Sequence, residues 1–323
     1  MNLMDKRDNG IFPATPKISV IVLTYNQERT IAATLDSILS QHTPYPFEII
    51  IGEDGSQDAT RDVCERYARR YPDTIRLMPN ADNKGIVNNY FDCFEASRGE
   101  YIADCAGDDT WADPLKLQRQ CSLLETNDDV TIVYSAWRKI FPDRHSEVED
   151  YGMTQSALIP GRQLIADYLA QKTLIVLSTA MYRAATLRDC MRRDSATVRN
   201  PKFACEDMPL ICALLNCGNG MYDHHVTLDY RLGDDTLSNP SSGHRAVRFY
   251  YRTLRATCIL ADHYHISTPE VKSYCSRQAN YTIALAAAAS DRTYLRDTLR
   301  LSRKHSLHLT WKSRLRLCVH LVF

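Results

Sequence analysis

Several familiar signatures are missing from this 323-residue chain, and each absence removes a class of function. No apolar run reaches the roughly 18 residues needed to span a bilayer. No GxGxxG fingerprint or GxxxxGK(S/T) loop follows its strand-like runs, which argues against dinucleotide and P-loop modes of phosphate binding. Charge of one sign is not in excess: 39 Lys and Arg balance 39 Asp and Glu, so no global field favours nucleic acid, and steering must come from local patches. The 11 cysteines include no CxxC pair, and Met1 to Pro16 is polar, unlike a signal peptide. This pattern predicts a reducing cytosol and cysteines used as small buried apolar residues. What remains is ordinary for a globular protein: 44% hydrophobic, 24% charged, and long enough for one large or two smaller domains.

Lys17 to Tyr25 is a β-branched run of the kind buried on both faces of a parallel sheet, and it ends at Thr24-Tyr25-Asn26. Helical spacing follows from Glu28 to Ser40 through Ile31, Leu35 and Ile38. A second strand-like run, Phe47 to Gly52, ends in Glu53-Asp54-Gly55-Ser56 ahead of a helix over Asp58 to Arg70, with Asp58 placed to cap it. Ile75 to Met78, the loop Asn80 to Gly85, a helix over Val87 to Ala96 and a strand from Tyr101 complete the series. Alternating strands and helices imply a parallel sheet, with ligands bound outside the carboxyl ends of its strands. Three turns share that edge. Tyr25 suits stacking on a base, and Asp54 suits accepting a base N–H, although both also serve as ordinary turn residues. Asp108 and Asp109 end the fourth strand. Mg²⁺ needs only one or two protein carboxylates, so this pair suits a hard divalent cation; a solvated turn is the other reading.

Asp113-Pro114 opens a helix carrying Leu115, Leu117, Leu123 and Leu124, and Thr131 to Trp137 reads as a buried strand. Arg138 to Thr154 lacks a period and reads as a surface excursion. Leu174 to Tyr182 reads as a further strand whose Ser178 and Thr179 serve packing, capping or acceptor contact. Glu206-Asp207 precedes the helical pattern Leu210, Leu214, Leu215, where two carboxylates gain from the helix dipole. Beyond Ser242 the composition predicts several helices. Residues 291 to 323 hold eight Lys or Arg against two Asp, and they end in an amphipathic basic stretch. Such a stretch, here 303–323, rests on an anionic membrane surface or packs back on its own protein.

The ordered motifs carry a resemblance. Ile-Ser-Val-Ile-Val-Leu-Thr-Tyr-Asn, then Ile-Gly-Glu-Asp-Gly-Ser-Gln-Asp-Ala-Thr, Asn83-Lys84-Gly85, and Arg98-Gly99-Glu100-Tyr101-Ile102 before Gly107-Asp108-Asp109 resemble the family 2 glycosyltransferases over about residues 17 to 240. The resemblance implies an α/β GT-A fold: a Rossmann-like mixed, mainly parallel sheet flanked by helices. It implies a flexible 1–16, a catalytic domain over 17–242 (nucleotide half to about 110, acceptor half beyond) and a helical extension over 243–323. By position, Thr24, Tyr25, Asn26, Glu28, Asp54, Lys84, Gly85, Asp108 and Arg231 would bind the sugar nucleotide. Asp108, and less directly Asp109, would hold Mn²⁺ or Mg²⁺; Asp207 would be the catalytic base, with Glu206 the runner-up. The implied reaction is inverting transfer from a nucleoside-diphosphate sugar, with UDP favoured, to a hydroxyl of a glycan or lipid-linked acceptor in surface polysaccharide synthesis. The expected place is the cytoplasm, including the inner face of the membrane.

Two departures stand out. Ala106 occupies a position where relatives carry an acid, and Gly233, beside Asp234 and Asp235, stands where a Tyr-Arg-x-His histidine would be. A rival reading is therefore a non-catalytic sugar-nucleotide-binding or regulatory domain that kept the fold. A nucleotidyltransferase would show a Gly-rich basic loop after the first strand, and Thr24-Tyr25-Asn26-Gln27 is not one.

Overall fold

The computed structural model describes residues 15–143, 145–232 and 243–322. Its centre is set by β-branched runs. Ile18–Thr24 (β1) and Phe47–Glu53 (β2) are buried almost throughout, as strands covered on both faces must be. They alternate with α1 (Ile31–Leu39), α2 (Thr60–Arg70), β3 (Ile75–Pro79), α3 (Ile86–Ala96) and β4 (Tyr101–Ala106). β1 pairs in parallel with both β2 and β4, and β2 pairs in parallel with β3, giving the order β3-β2-β1-β4. The chain thus steps outward from β1 on one side and returns to its other side with β4. That reversal between β1 and β4 is a topological switch point, where open α/β sheets leave a crevice at the strands' carboxyl ends.

Beyond β4 the sheet becomes mixed. The elements are β5 (Thr110–Trp111), α4 (Lys116–Glu125), β6 (Val130–Ile140), β7 (Ser146–Glu149), β8 (Ala157–Ile159), α5 (Gly161–Leu169), β9 (Met181–Arg183), α6 (Ala184–Val198), α7 (Asp207–Cys217) and β10 (Asn219–Arg231). The order continues β9-β6-β10-β5, with β9 antiparallel to β4 and β6, and β10 parallel to β6. The GT-A arrangement expected of the chain is present.

Two local expectations change. Leu174–Tyr182 is not one strand: Leu177–Thr179 forms a 3₁₀ turn, closed by Thr179 N–H to Val176 O (2.8 Å) and Ala180 N–H to Leu177 O (2.8 Å), and only Met181–Arg183 joins the sheet. The polar excursion Arg138–Thr154 begins as an antiparallel hairpin, in which β7 pairs back on the end of β6. β7 is Ser-Glu-Val-Glu, largely exposed and with a single apolar side chain, so no apolar alternation marks it.

Among the described residues four helices follow the sheet: α8 (Gly243–His263), α9 (Pro269–Ala288), α10 (Arg292–Lys304) and α11 (Trp311–Val322). Thr268 caps α9 by accepting from Val271 N–H, with Pro269 in the first turn. Leu254, Cys258, Val271 and Ile283 lie in the same apolar cluster as Tyr168, Leu210 and Leu214, so the core runs unbroken from the sheet into these helices. No described helix is long and apolar enough to cross a membrane.

Candidate active site

The turns after β1 and β2 are stitched together by side chains. Asn26 takes a left-handed backbone (φ 54°), which asparagine tolerates better than most residues. Its N–H donates to Ser56 Oγ (3.0 Å), and its Oδ1 accepts from Gln57 N–H (2.8 Å). Glu28 repeats the pattern, donating its N–H to Asp58 (3.1 Å) and accepting from Ala59 N–H (2.9 Å). Asn26 and Glu28 thereby make the two turns one unit. Tyr25 projects from it, 40% exposed, while Thr24 is buried with an unpartnered Oγ1.

Asp54 is buried and anchors the next loop. Its Oδ1 accepts from Asn80 Nδ2 (2.9 Å) and Lys84 N–H (3.0 Å), and its Oδ2 from Gly85 N–H (3.0 Å). Gly85 sits at φ 85°, a conformation that needs glycine. The Lys84 ammonium turns toward α3 and pairs with Asp92, which also takes Arg199 (2.8 Å). Burial pushes Asp92 up, but these two cations outweigh it and hold the carboxyl below its ordinary range.

The end of β4 lies directly against the β1 turn. Gly107 N–H donates to Leu23 O (2.9 Å), and a Cβ on Gly107 would collide with Gln27 Oε1 and lie 2.8 Å from Thr24 Oγ1. Thr30 Oγ1 donates to Gly107 O (2.9 Å) and Thr34 Oγ1 to Asp109 O (2.7 Å). Ser178 completes the support: its Oγ accepts from Ala106 N–H (3.1 Å) and donates to Asp109 Oδ2 (3.0 Å), while its carbonyl accepts from Trp111 Nε1 (3.1 Å). Of the roles open to Ser178, holding this loop is the one the structure displays.

Burial raises Asp108, against the pull of Gln27 and Arg231. Burial, reinforced by the charge of Asp108, pushes Asp109 up to about 8, against Ser178 and Arg231, whose backbone N–H also reaches it. A desolvated acidic pair thus sits at the switch point beside two buried, unpartnered oxygens, Thr24 Oγ1 and Gln27 Oε1. Oxygen donors short of positive charge are the set that a hard divalent cation requires, so these residues fit Mg²⁺ or Mn²⁺. Asp104 does not substitute for the acid missing at Ala106. It points into the core, where burial pushes it up to about 8 beside Tyr182, Lys116 and Tyr90, and neither of its oxygens makes a well-formed hydrogen bond.

Asp207 and Glu206 stand at the start of α7. Burial raises Asp207, whose carboxylate accepts from Met208 N–H (2.7 Å). Glu206 is pushed up to about 8 by burial and by the charges of Asp207 and Asp104. The loop leading into it is held from the C-terminal helices: Arg252 of α8 donates to the carbonyls of Lys202 (3.0 Å), Pro201 and Phe203. Arg252 lies outside every motif, and no sequence signal singles it out. Arg231 ends β10 beside the acidic pair, whereas the segment from Gly233 to Ser238, with Asp234 and Asp235, lies outside the described residues. A separate group on β10, Asp223 with His224 and His225, already has its carboxylate paired with Arg119 (2.8 Å).

Sheet order, switch-point crevice and acidic pair together define a GT-A-type domain. Residues 19–189 match the family described as Glycosyl transferase family 2, and the chain belongs to that family. It is 36% identical over 166 residues to an uncharacterized protein of Mycobacterium tuberculosis; the match covers 51% of this chain and 46% of that protein, about half its length. It is 28% identical over 264 residues to the putative glycosyltransferase EpsE of Bacillus subtilis, covering 80% of this chain and 90% of EpsE. Among solved structures it is similar to S. aureus TarS residues 1–349 in complex with UDP-GlcNAc, with a TM-score of 0.62 and 16% identity over 94% of this chain and 79% of that one.

Proposed function

We propose that this protein is an inverting glycosyltransferase that moves a sugar from a nucleoside-diphosphate sugar, with UDP the favoured nucleotide, to a hydroxyl of a glycan or lipid-linked acceptor. Surface polysaccharide synthesis at the cytoplasmic side of a membrane is the setting that suits such an acceptor. The observation that carries the reading is the desolvated pair Asp108 and Asp109 at the β1/β4 switch point, packed against the stitched turns that present Tyr25.

In this reading Tyr25 stacks on the base, and Asp54 fixes the loop of Lys84 and Gly85 that closes over the nucleoside. Asp108, with Asp109 behind it, holds the divalent cation. When bound, that cation supplies positive charge to the leaving diphosphate. Arg231 adds a fixed cation beside the same phosphates. Asp207 accepts the proton of the acceptor hydroxyl as its oxygen bonds to the anomeric carbon from the face opposite the nucleotide, and the bond from that carbon to the diphosphate oxygen breaks. Its raised pKa suits a base that must work near neutral pH.

A thermal-shift panel of sugar nucleotides with and without Mn²⁺ identifies the donor, since a ligand at 100 times its Kd stabilises the fold by about 2.7 kcal/mol. With that donor, Asp207→Asn is expected to lower turnover by roughly 10²-fold or more while leaving donor affinity nearly intact. Equal turnover in mutant and wild type would remove Asp207 from the role. A domain that only binds would release no free nucleotide from its donor.

A further inference from the structure

α11 has two apolar sides, and among the described residues only one of them packs against the rest of the fold. Ser313 and Leu317 turn inward, 1% and 6% exposed, onto α9 and α10. Trp311, Leu315 and Val319 follow one another at four-residue intervals on the opposite side and are 70%, 56% and 50% exposed. Lys312 and Arg316 lie beyond one edge of this stripe and Arg314 beyond the other, all three exposed. A groove of about 540 Å³ between α10 and α11 continues the apolar surface, with Leu299, Leu307 and Leu321 in its lining together with Arg303 and Arg314.

We propose that the outer side of α11 is a membrane-docking surface that lies in the headgroup region of an anionic phospholipid bilayer. A water-facing helix gains nothing from displaying a tryptophan, a leucine and a valine in one row, whereas a helix lying in the interface buries such a row among acyl chains and keeps its flanking cations at the phosphates. The choice of a lipid occupant rests on charge. The chain as a whole is neutral, yet residues 291 to 323 carry eight Lys or Arg against two Asp, so the segment that bears the apolar stripe has a local excess of positive charge. Indole rings favour the interface because one edge is apolar and the other donates a hydrogen bond, and Trp311 opens the stripe. This inference gives a place to the membrane setting of the proposed function, but it needs no catalytic assignment and is tested without one.

The structure supplies its own probe. Of the three tryptophans, Trp111 and Trp137 are buried (5% and 3% exposed), so the fluorescence change on binding comes from Trp311. The full chain is titrated with phosphatidylcholine vesicles, with and without about one-third phosphatidylglycerol, and followed by emission and co-sedimentation. A blue shift and sedimentation with the anionic vesicles, both weakened by salt, are expected, because each Lys or Arg near such a surface contributes about fivefold to partition. Trp311→Ser with Leu315→Ser, and separately Lys312→Glu with Arg316→Glu, should each lower partition at least tenfold while thermal melting stays near wild type. Three results would overturn the proposal: no partition into either vesicle, equal partition of wild type and both variants, or a dimer in sedimentation velocity that Trp311→Ser abolishes, which would make the stripe a contact between two copies. Loss of glycosyl transfer in a protein that still docks would instead count against the proposed function alone.

Discussion

Asp104→Asn should make this protein more stable, and more so as the pH rises. Asp104 lies within β4, 5% exposed, and burial lifts its pKa from 3.8 to about 8 despite the Tyr182 and Tyr90 hydroxyls and the Lys116 ammonium nearby. Between about pH 4 and pH 8 the native state therefore keeps a proton that the unfolded chain has released. A group that binds more protons when folded loses stability as pH rises through that window. At about 1.4 kcal/mol for each pKa unit, the loss reaches up to roughly 4 kcal/mol at pH 7. Asparagine is close in shape to the neutral acid and has nothing to titrate. The gain of the mutant should thus be near zero at pH 4, grow steadily to pH 8 and then level off; for a chain of this size each kcal/mol moves Tm by on the order of 2 °C. Lys116 does not reverse the sign, because burial lowers it to about 7 and it is largely neutral at pH 8. Melting both proteins from pH 4 to pH 9 by calorimetry measures the difference directly. A mutant that is less stable at pH 8, or whose advantage does not vary with pH, would refute the assignment of Asp104 as a neutral buried acid.

Three further outcomes follow from the site. Asp108→Ala should weaken nucleotide binding in Mn²⁺ by at least about tenfold and leave metal-free binding little changed, because one charge-assisted contact is worth about 1.5–3 kcal/mol; titration calorimetry with and without Mn²⁺ separates the two. Ser178→Ala removes the hydroxyl that holds Asp109 and leaves Ala106 N–H without its acceptor, which should cost about 1–3 kcal/mol in denaturant unfolding. Arg252→Gln loosens the loop ahead of Asp207, so kcat should fall roughly tenfold while donor affinity stays unchanged; a misplacement of about 1 Å is enough for such a loss, and Arg252→Lys should restore part of it.

The first half of this fold, through β4, was readable in the sequence because its signals are local. Ile18–Thr24 and Phe47–Glu53 are rich in β-branched residues, each followed by a polar turn and a helical period, and the acidic pair follows the short buried strand Tyr101–Ala106. The other half depends on residues distant in sequence. β9 has only three residues and is a strand because β4 and β6 flank it. β10 changes register around Asp223 and Val226, which hides its alternation, and Ser178 meets Asp109 across 69 positions. Asn26 and Glu28 read as ligand contacts, yet their visible work is to join two turns; nothing in a linear string shows which partner a side chain in a turn will choose.

The unbroken core has a consequence for how this chain can be divided. A cut after residue 242 falls where the family motifs end, but it would strip α8 from α7, take Leu254 and Val271 away from Leu210 and Leu214, and remove the Arg252 clamp from the loop ahead of Asp207. The motif-bearing half is therefore not a portable cassette. Exchanging the last eighty residues with those of a relative would alter the footing of its proposed base as well as its surface, so chimaeras built at that boundary should report on catalysis and docking at the same time.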